Sequence, residues 1–396
     1  MEYKSIRLKK GREKSVLNRH PWIFSGALDG KSTAEEGDIV RVTDWQGKNL
    51  AYGFYSAKSQ ISCRVFELYR ESESVDFETP EYWFNKISKA LALRKALLDP
   101  DLTTTYRLLH AEGDFFPGII ADVYGNVVVL QVLIKAVESR MHLIQEAFIK
   151  CGFENIYLKT KSSSRAIEGI ESSAGWLCGA SETTVQVKEN GLLFNVDFET
   201  GQKTGFFIDQ RDNREMLRRY SKDKTVLNAF SYSGGFSVYA LAGGAKRVYS
   251  LDISAAATGL ANDNVEINQL TLNNHKAITE DCFQYLSNMP SDYYDLIVLD
   301  PPAFAKSARA VANASRGYKQ INMKAFKKIK PGGVVFTFSC SQNIDPNLFR
   351  KIVFGAAAEA HRNVRIIEQL HQPADHPVSI FHPEGEYLKG LVLYVE

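Results

Sequence analysis

Two short stretches carry residues that could do chemistry: Asp300-Pro301-Pro302-Ala303-Phe304, and Cys340 within Phe338-Ser339-Cys340-Ser341. Asp300 directly follows the apolar run Leu296–Leu299, and a run of this kind reads as a strand buried on both faces of a parallel sheet. Pro301 and Pro302 have no N–H to extend a ladder, and proline biases Asp300 towards an extended backbone. The carboxylate is expected at the carboxyl edge of the sheet, where open α/β folds bind ligands. Cys340 ends a second apolar run that follows Pro331-Gly332-Gly333. A crossover usually sets consecutive parallel strands side by side, so thiol and carboxylate would face one crevice. A thiolate there can add to carbon 6 of a pyrimidine and make carbon 5 nucleophilic. Asp300 can protonate or hydrogen-bond ring nitrogen 3 and so stabilise the adduct's charge. Alone, Cys340 reads as an unreactive buried cysteine and Asp300 as a polar strand end; their shared crevice favours the chemical reading.

A second group of residues describes a ligand site. Asn228–Gly235, Asn-Ala-Phe-Ser-Tyr-Ser-Gly-Gly, follows a predicted strand and opens a helix. Glycines such as Gly234 and Gly235 let backbone amides approach a ligand, and a helix N-terminus favours a negative group. Neither phosphate-binding glycine motif fits. Asp252, followed by Ile253, ends the next strand and could accept from two ribose hydroxyls. Asp281, followed by Cys282, comes after the third strand and could receive an adenine amine. Glycine turn, ribose acid and adenine acid in strand order describe an adenosine ligand without pyrophosphate, which fits S-adenosylmethionine. The bland alternative is a tight turn and two strand-end caps.

The elements that must position these residues alternate strand and helix from about Glu199 to the end, which argues for a doubly wound parallel sheet. Residues 1–70 read as short strands and turns, a small β-barrel or β-roll. Lys9, Lys10, Arg12, Lys14, Arg19 and His20 cluster near its start beside Trp22 and Phe24. Such a cluster either contacts an RNA backbone and stacks on bases or is a solvated basic face with its aromatics in a small core. Residues 71–80 read as an acidic linker, and 71–184 as an α+β region with a helix from Pro80 and two strands around Tyr124-Gly125-Asn126. Residues 185–198 form a hairpin turning at Asn190-Gly191, and 199–396 form the last domain.

The chain of 396 residues is too long for one core. Its net charge of +2 does not declare a nucleic-acid partner, so any RNA surface must be local. The 5 cysteines include no CxxC pair, which argues against zinc and disulfide frameworks and fits a reducing cytoplasm. There is no apolar run of membrane-spanning length and no secretory leader pattern, so no membrane partner is expected.

Taken together these stretches resemble the ribosomal RNA large-subunit methyltransferase I family, single-cysteine cytosine-5 methyltransferases of 23S rRNA. The likeness runs over essentially the whole chain. The opening segment, Arg7 to Leu28, is similar to that family's PUA domain, an RNA-binding fold. HAEGDFFPGIIADVYGN, TGFFIDQRDNR, NAFSYSGGFSVYA, SLDIS, EDCFQYL, DPPAF and FSCS match its motifs in order. The resemblance implies a C-terminal Rossmann-like class I methyltransferase domain, an N-terminal PUA-like domain and a central α+β domain. It implies S-adenosylmethionine as donor, Cys340 as nucleophile and Asp300 beside the target base. It also implies that Phe207, Asp209, Gln210 and Arg211 border the cofactor, together with Asn228, Phe230, Ser231, Gly234, Gly235, Asp252, Ile253, Asp281, Cys282 and Asp300. On the RNA side it points to Lys9, Lys10, Arg12, Arg19 and Trp22, and to 23S ribosomal RNA as partner. A homodimer is compatible with the sequence and not fixed by it. Many RNA cytosine-5 methyltransferases have a Pro-Cys motif where this chain has Asp300-Pro301-Pro302, so the group that removes the carbon 5 proton is unassigned. Two other readings stay open: nitrogen methylation of guanine or adenine with Cys340 a bystander, and a non-catalytic RNA-binding module.

Overall fold

The computed structural model describes every residue except 1, 2, 31, 72–74, 161–167, 181 and 306. Three residues of the expected 71–80 linker therefore lie outside the described residues. The chain forms two compact units. The first comprises Met1–Val185, Val196–Phe206 and Ala374–Gly385, and the second Gln186–Asn195, Phe207–Pro373 and Glu386–Glu396.

In the first unit, β1 (Ser5–Arg7), β2 (Trp22–Phe24), β3 (Ile39–Thr43), β4 (Asn49–Tyr55) and β5 (Ile61–Leu68) make one sheet in the order β1-β3-β4-β5-β2. Ile6, Ile23, Val40, Val42, Ala51 and Cys63 close its core. A second sheet holds β6 (Thr105–His110), β7 (Ile119–Tyr124), β8 (Val127–Val132), β9 (Asn155–Lys159) and β10 (Ala174–Cys178), in the order β10-β9-β8-β7-β6. Helix Pro80–Leu97 buries Trp83, Ile87 and Ala90, and helix Met141–Lys150 buries Leu143, Ile144 and Phe148. The expected pair of strands around Gly125 is β7 and β8. β6 is an additional strand whose apolar pattern is broken by Arg107. That guanidinium is buried because it pairs with both oxygens of Asp122 on β7, at 2.8 and 2.9 Å.

β11 (Thr184–Glu189) and β12 (Leu192–Asp197) form the expected two-stranded hairpin. Asn190 and Gly191 both take positive φ, 49° and 82°, as a two-residue hairpin turn of this type requires.

The second unit is built on one sheet of β13 (Thr225–Ala229), β14 (Arg247–Asp252), β15 (His275–Thr279), β16 (Leu296–Leu299), β17 (Gly333–Ser339), β18 (Val364–His371) and β19 (Lys389–Val395). Their order is β15-β14-β13-β16-β17-β19-β18. The first five are parallel, as expected. The expected all-parallel sheet needs one correction: β19 runs antiparallel to both β17 and β18, giving a mixed sheet. β18 is an edge strand with a register shift between Ile366 and Glu368 and much exposed surface, so its sequence lacks a clean alternation. Helices Val311–Lys328 and Pro346–Ala360 cover one face, burying Tyr318, Ile321, Ala325, Phe349 and Ile352 against the strands.

Candidate active site

The carboxyl ends of β13, β14, β16 and β17 bring the chemistry-bearing residues to one edge of the second unit. After β13 the chain turns through Phe230, Tyr232 and Gly234 at φ of 60°, 43° and 73°. Two bulky residues at positive φ are uncommon and mark a built turn. The amides of Ser231 and Tyr232 donate to the Leu251 carbonyl (3.0 Å) and to Asp252 Oδ2 (2.9 Å), tying this turn to the end of β14. Gly234 is required twice over, by its φ and because a Cβ there would stand 2.7 Å from Ala261 Cβ. Asn228 donates to Ser237 Oγ at 2.9 Å. Its Oδ1 and the Ser231 hydroxyl are buried with no partner among the described residues. Buried polar atoms usually have partners, so these two are places a polar ligand can satisfy.

Asp252 is half-buried, and its Oδ1 accepts from the Ser254 amide at 3.0 Å. A carboxylate holding two amides keeps lone pairs for further donors. Ile253 is exposed. Asp281 caps helix Cys282–Asn288 through the Gln284 amide (2.9 Å) and stays solvent-exposed. Cys282 is buried against the Leu251 carbonyl, and burial pushes its thiol up to about 12. It is an inert thiol.

The segment Phe207–Arg211 is clamped rather than loose. The Phe207 ring meets Tyr232 edge-on at 5.3 Å. Asp209, buried, accepts from the Tyr387 hydroxyl at 2.6 Å, and Gln210 Oε1 accepts from Asn213 at 2.6 Å. Arg211 is also buried, with its Nε donating to Asp212 at 3.2 Å. Three residues on, Arg214 makes a two-pronged pair with Glu189 (2.8 and 2.6 Å) and donates to the Phe207 carbonyl at 3.0 Å. Glu189, Arg214, Tyr239 and Tyr387 were not singled out from sequence. Arg214 and Tyr239 had a signal, since they lie in the TGFFIDQRDNR and NAFSYSGGFSVYA stretches.

On the chemistry side, β16 and β17 are hydrogen-bonded neighbours, with Leu299 opposite Thr337. Asp300 and Cys340 therefore leave adjacent strand ends, and both are half-buried. The two following loops are tied together. The Ala305 amide donates to Ser341 Oγ (3.2 Å), and the Asn343 side chain donates to the Ala305 carbonyl (3.3 Å). The Tyr318 hydroxyl also meets Ser341 Oγ at 3.0 Å. Lys389 Nζ, from β19, donates to the carbonyls of Ser341 and Ile344 at 2.7 and 2.6 Å. All five cysteines are thiols rather than disulfides, and the described residues include no cluster of metal-ligating side chains.

The N-terminal basic residues are on the first unit. Arg12 and Arg19 are exposed, Lys9 donates to the Gly26 carbonyl, and Lys10 lies 5.0 Å over the Trp45 ring. Trp22 is half-buried. Its indole N–H donates to Glu112 at 2.8 Å and its ring packs on His382 at 4.4 Å.

Comparison with known proteins agrees with this geometry. Residues 163–390 match the family model for S-adenosylmethionine-dependent methyltransferases, and residues 6–68 match that for PUA-like domains. The chain is 43% identical over 99% of both chains to the ribosomal RNA large subunit methyltransferase I of Aliivibrio fischeri strain MJ11. It is 42% identical to that of Aeromonas salmonicida strain A449, over 98% of each. In three dimensions it resembles a SAM-dependent methyltransferase from Streptococcus mutans, with a TM-score of 0.83 at 23% identity, covering 99% of this chain and 100% of that one. No helix among the described residues is long and apolar enough to cross a membrane. The chain belongs to the ribosomal RNA large subunit methyltransferase I family, and its cofactor is S-adenosylmethionine.

Proposed function

We propose that this protein methylates carbon 5 of a cytosine in 23S ribosomal RNA through a covalent adduct with Cys340. The observation that carries the reading is the pair of tied loops after the neighbouring strands β16 and β17, whose adjacent ends Asp300 and Cys340 leave. The named relatives act on large-subunit ribosomal RNA, which supports that substrate here. The division into 1–70, 71–184, 185–198 and 199–396 is likewise our proposal, supported by the separate sheets.

On this reading S-adenosylmethionine, when bound, supplies an electrophilic methyl group. Asn228, Ser231 and Asp252 offer it polar contacts, the Gly234-Gly235 turn gives close backbone approach, and Phe207, Asp209, Gln210 and Arg211 form a rigid border. Phe230, Ile253, Asp281 and Cys282 line the same edge, Cys282 through its backbone because its sulfur is buried. The Cys340 thiolate forms a bond to carbon 6 of the cytosine, and the ring electrons move towards carbon 5. Asp300 holds a proton at nitrogen 3 and stabilises the adduct. After carbon 5 has taken the methyl group, loss of its proton returns an electron pair to the ring and expels the thiolate. The cytosine must be unstacked or single-stranded for the sulfur to reach it. Lys9, Lys10, Arg12 and Arg19 supply phosphate contacts, and Trp22, held by Glu112, supplies at most an edge. The protein acts in the cytoplasm, where its RNA substrate is.

The test is nucleoside mass spectrometry of 23S rRNA incubated with the protein and methyl-labelled cofactor. The reading expects label in 5-methylcytidine. Label in a methylated guanosine or adenosine would replace it with the nitrogen-methylation reading.

A further inference from the structure

One buried charge next to the proposed nucleophile has no role so far. Lys389 starts β19 directly opposite Ser339, the last residue of β17. Lys389 is 8% exposed. Two of the three ammonium donors go to the Ser341 and Ile344 carbonyls, one peptide unit and four residues past Cys340. No carboxylate stands within ion-pair distance of Lys389 among the described residues, so only partial charges balance it directly. A buried ammonium in that position is costly unless an anion comes close. Burial pushes it down to about 8; Cys340, then Asp345 and Glu386, act in the opposite direction. The other titratable groups around Cys340 are Asp300, at the neighbouring strand end, and Tyr318 on the helix Val311–Lys328, whose hydroxyl meets Ser341 Oγ.

We propose that Lys389 is a positioning residue for Cys340: its ammonium pins the loop Ser341–Ile344 and supplies the positive charge that favours the Cys340 thiolate. This rests on the reading of Cys340 as nucleophile. The thiol proton leaves to solvent, and Lys389 transfers none. It is poorly suited to take the carbon 5 proton, because at neutral pH it is mostly charged and two of its N–H groups are committed. An opposite charge within a few ångströms typically lowers a thiol's pKa by one to three pH units. A lysine on a strand that is otherwise apolar is the kind of residue that such a role explains.

The experiment follows alkylation of Cys340 by iodoacetamide against pH, read at the Cys340 peptide by mass spectrometry, in the full chain without RNA. Lys389→Met is expected to move the Cys340 profile up by at least one pH unit, and Lys389→Arg to bring it back towards wild type. Superimposable wild-type and Lys389→Met profiles would overturn the proposal. So would a shift that Lys389→Arg does not reverse, since the cause would then be lost loop hydrogen bonds. If Lys389→Met does not fold, the wild type decides. Its rate ratio for anionic iodoacetate over neutral iodoacetamide should fall several-fold as pH rises through about 8, and a constant ratio would overturn the assignment. Alkylation involves no methyl transfer. A Cys340→Ala variant that still methylated RNA would therefore sink the nucleophile reading without touching this measurement.

Discussion

The clamp under the cofactor border gives a sharp energetic prediction. Arg214 and Glu189 are both fully buried, at 2% and 0% exposure. Their pairing uses both carboxylate oxygens, and the Tyr239 hydroxyl adds a third bond to Glu189 Oε1 at 3.0 Å. Replacing Glu189 by leucine removes both carboxylate bonds of a buried guanidinium. Removing one member of a buried ion pair costs about 3–5 kcal/mol, roughly a 10²- to 10⁴-fold change in the equilibrium of local opening. Replacing both residues, Arg214→Met with Glu189→Leu, removes the stranded charge and should cost less than either single change. The four tryptophans, Trp22, Trp45, Trp83 and Trp176, all lie in the first unit, so fluorescence would report the wrong half. Native-state hydrogen exchange of the β13 and β16 peptides is the suitable assay. A Glu189→Leu loss of protection below tenfold, or a double variant equal to the sum of the singles, would refute the reasoning.

Gly234→Ala places a Cβ at φ 73° and 2.7 Å from Ala261 Cβ; it should destabilise the turn by about 2–4 kcal/mol and weaken S-adenosylmethionine binding in calorimetry, and unchanged affinity would detach this turn from the cofactor. Burial pushes His275 down to about 4, with its Nε2 at 2.7 Å from Ser250 Oγ. The unfolded chain, titrating near about 6.5, binds the extra proton first, so this stability is complete above about 6.5 and is lost as pH falls towards about 4. With the ring partly exposed the loss should be about 1–2 kcal/mol, visible in the exchange of the β15 peptide, and His275→Gln should flatten that dependence. Charge removal at Lys9, Lys10 and Arg12 together should weaken RNA binding and lower the magnitude of its salt slope by about 0.7–0.9 per lost phosphate contact; a slope equal to wild type would make this a solvated face.

The centre of the second unit's sheet was legible because β16 and β17 are buried on both faces and so are written as apolar runs. Asp300 at the strand end followed from that pattern. β18 was not legible, because an edge strand with a register shift carries no continuous run and no regular alternation; β19 carries an apolar run, but nothing local tells that it runs antiparallel. Charged residues hid other features. Arg107 interrupts β6, and Arg94, buried in the helix Pro80–Leu97, is held by both oxygens of Asp114. Both read as surface residues until their partners are seen. The pairing of Glu189 with Arg214 spans 25 residues and two elements, which no local pattern encodes. For Trp22 the sequence left a stacking surface and a small core both open, and a bond to Glu112 ninety residues away is not written in any local pattern.

Covalent trapping tests the central claim most directly. A 23S rRNA fragment carrying 5-fluorocytosine at the methylated position is incubated with the protein and S-adenosylmethionine, then resolved by denaturing electrophoresis. Fluorine is not eliminated as a proton is, so the account predicts a stable protein–RNA band whose crosslinked peptide contains Cys340. Cys340→Ala should give no such band and no methyl transfer while still binding the cofactor. A Cys340→Ala protein that methylates the RNA, with no trapped complex from wild type, would contradict it.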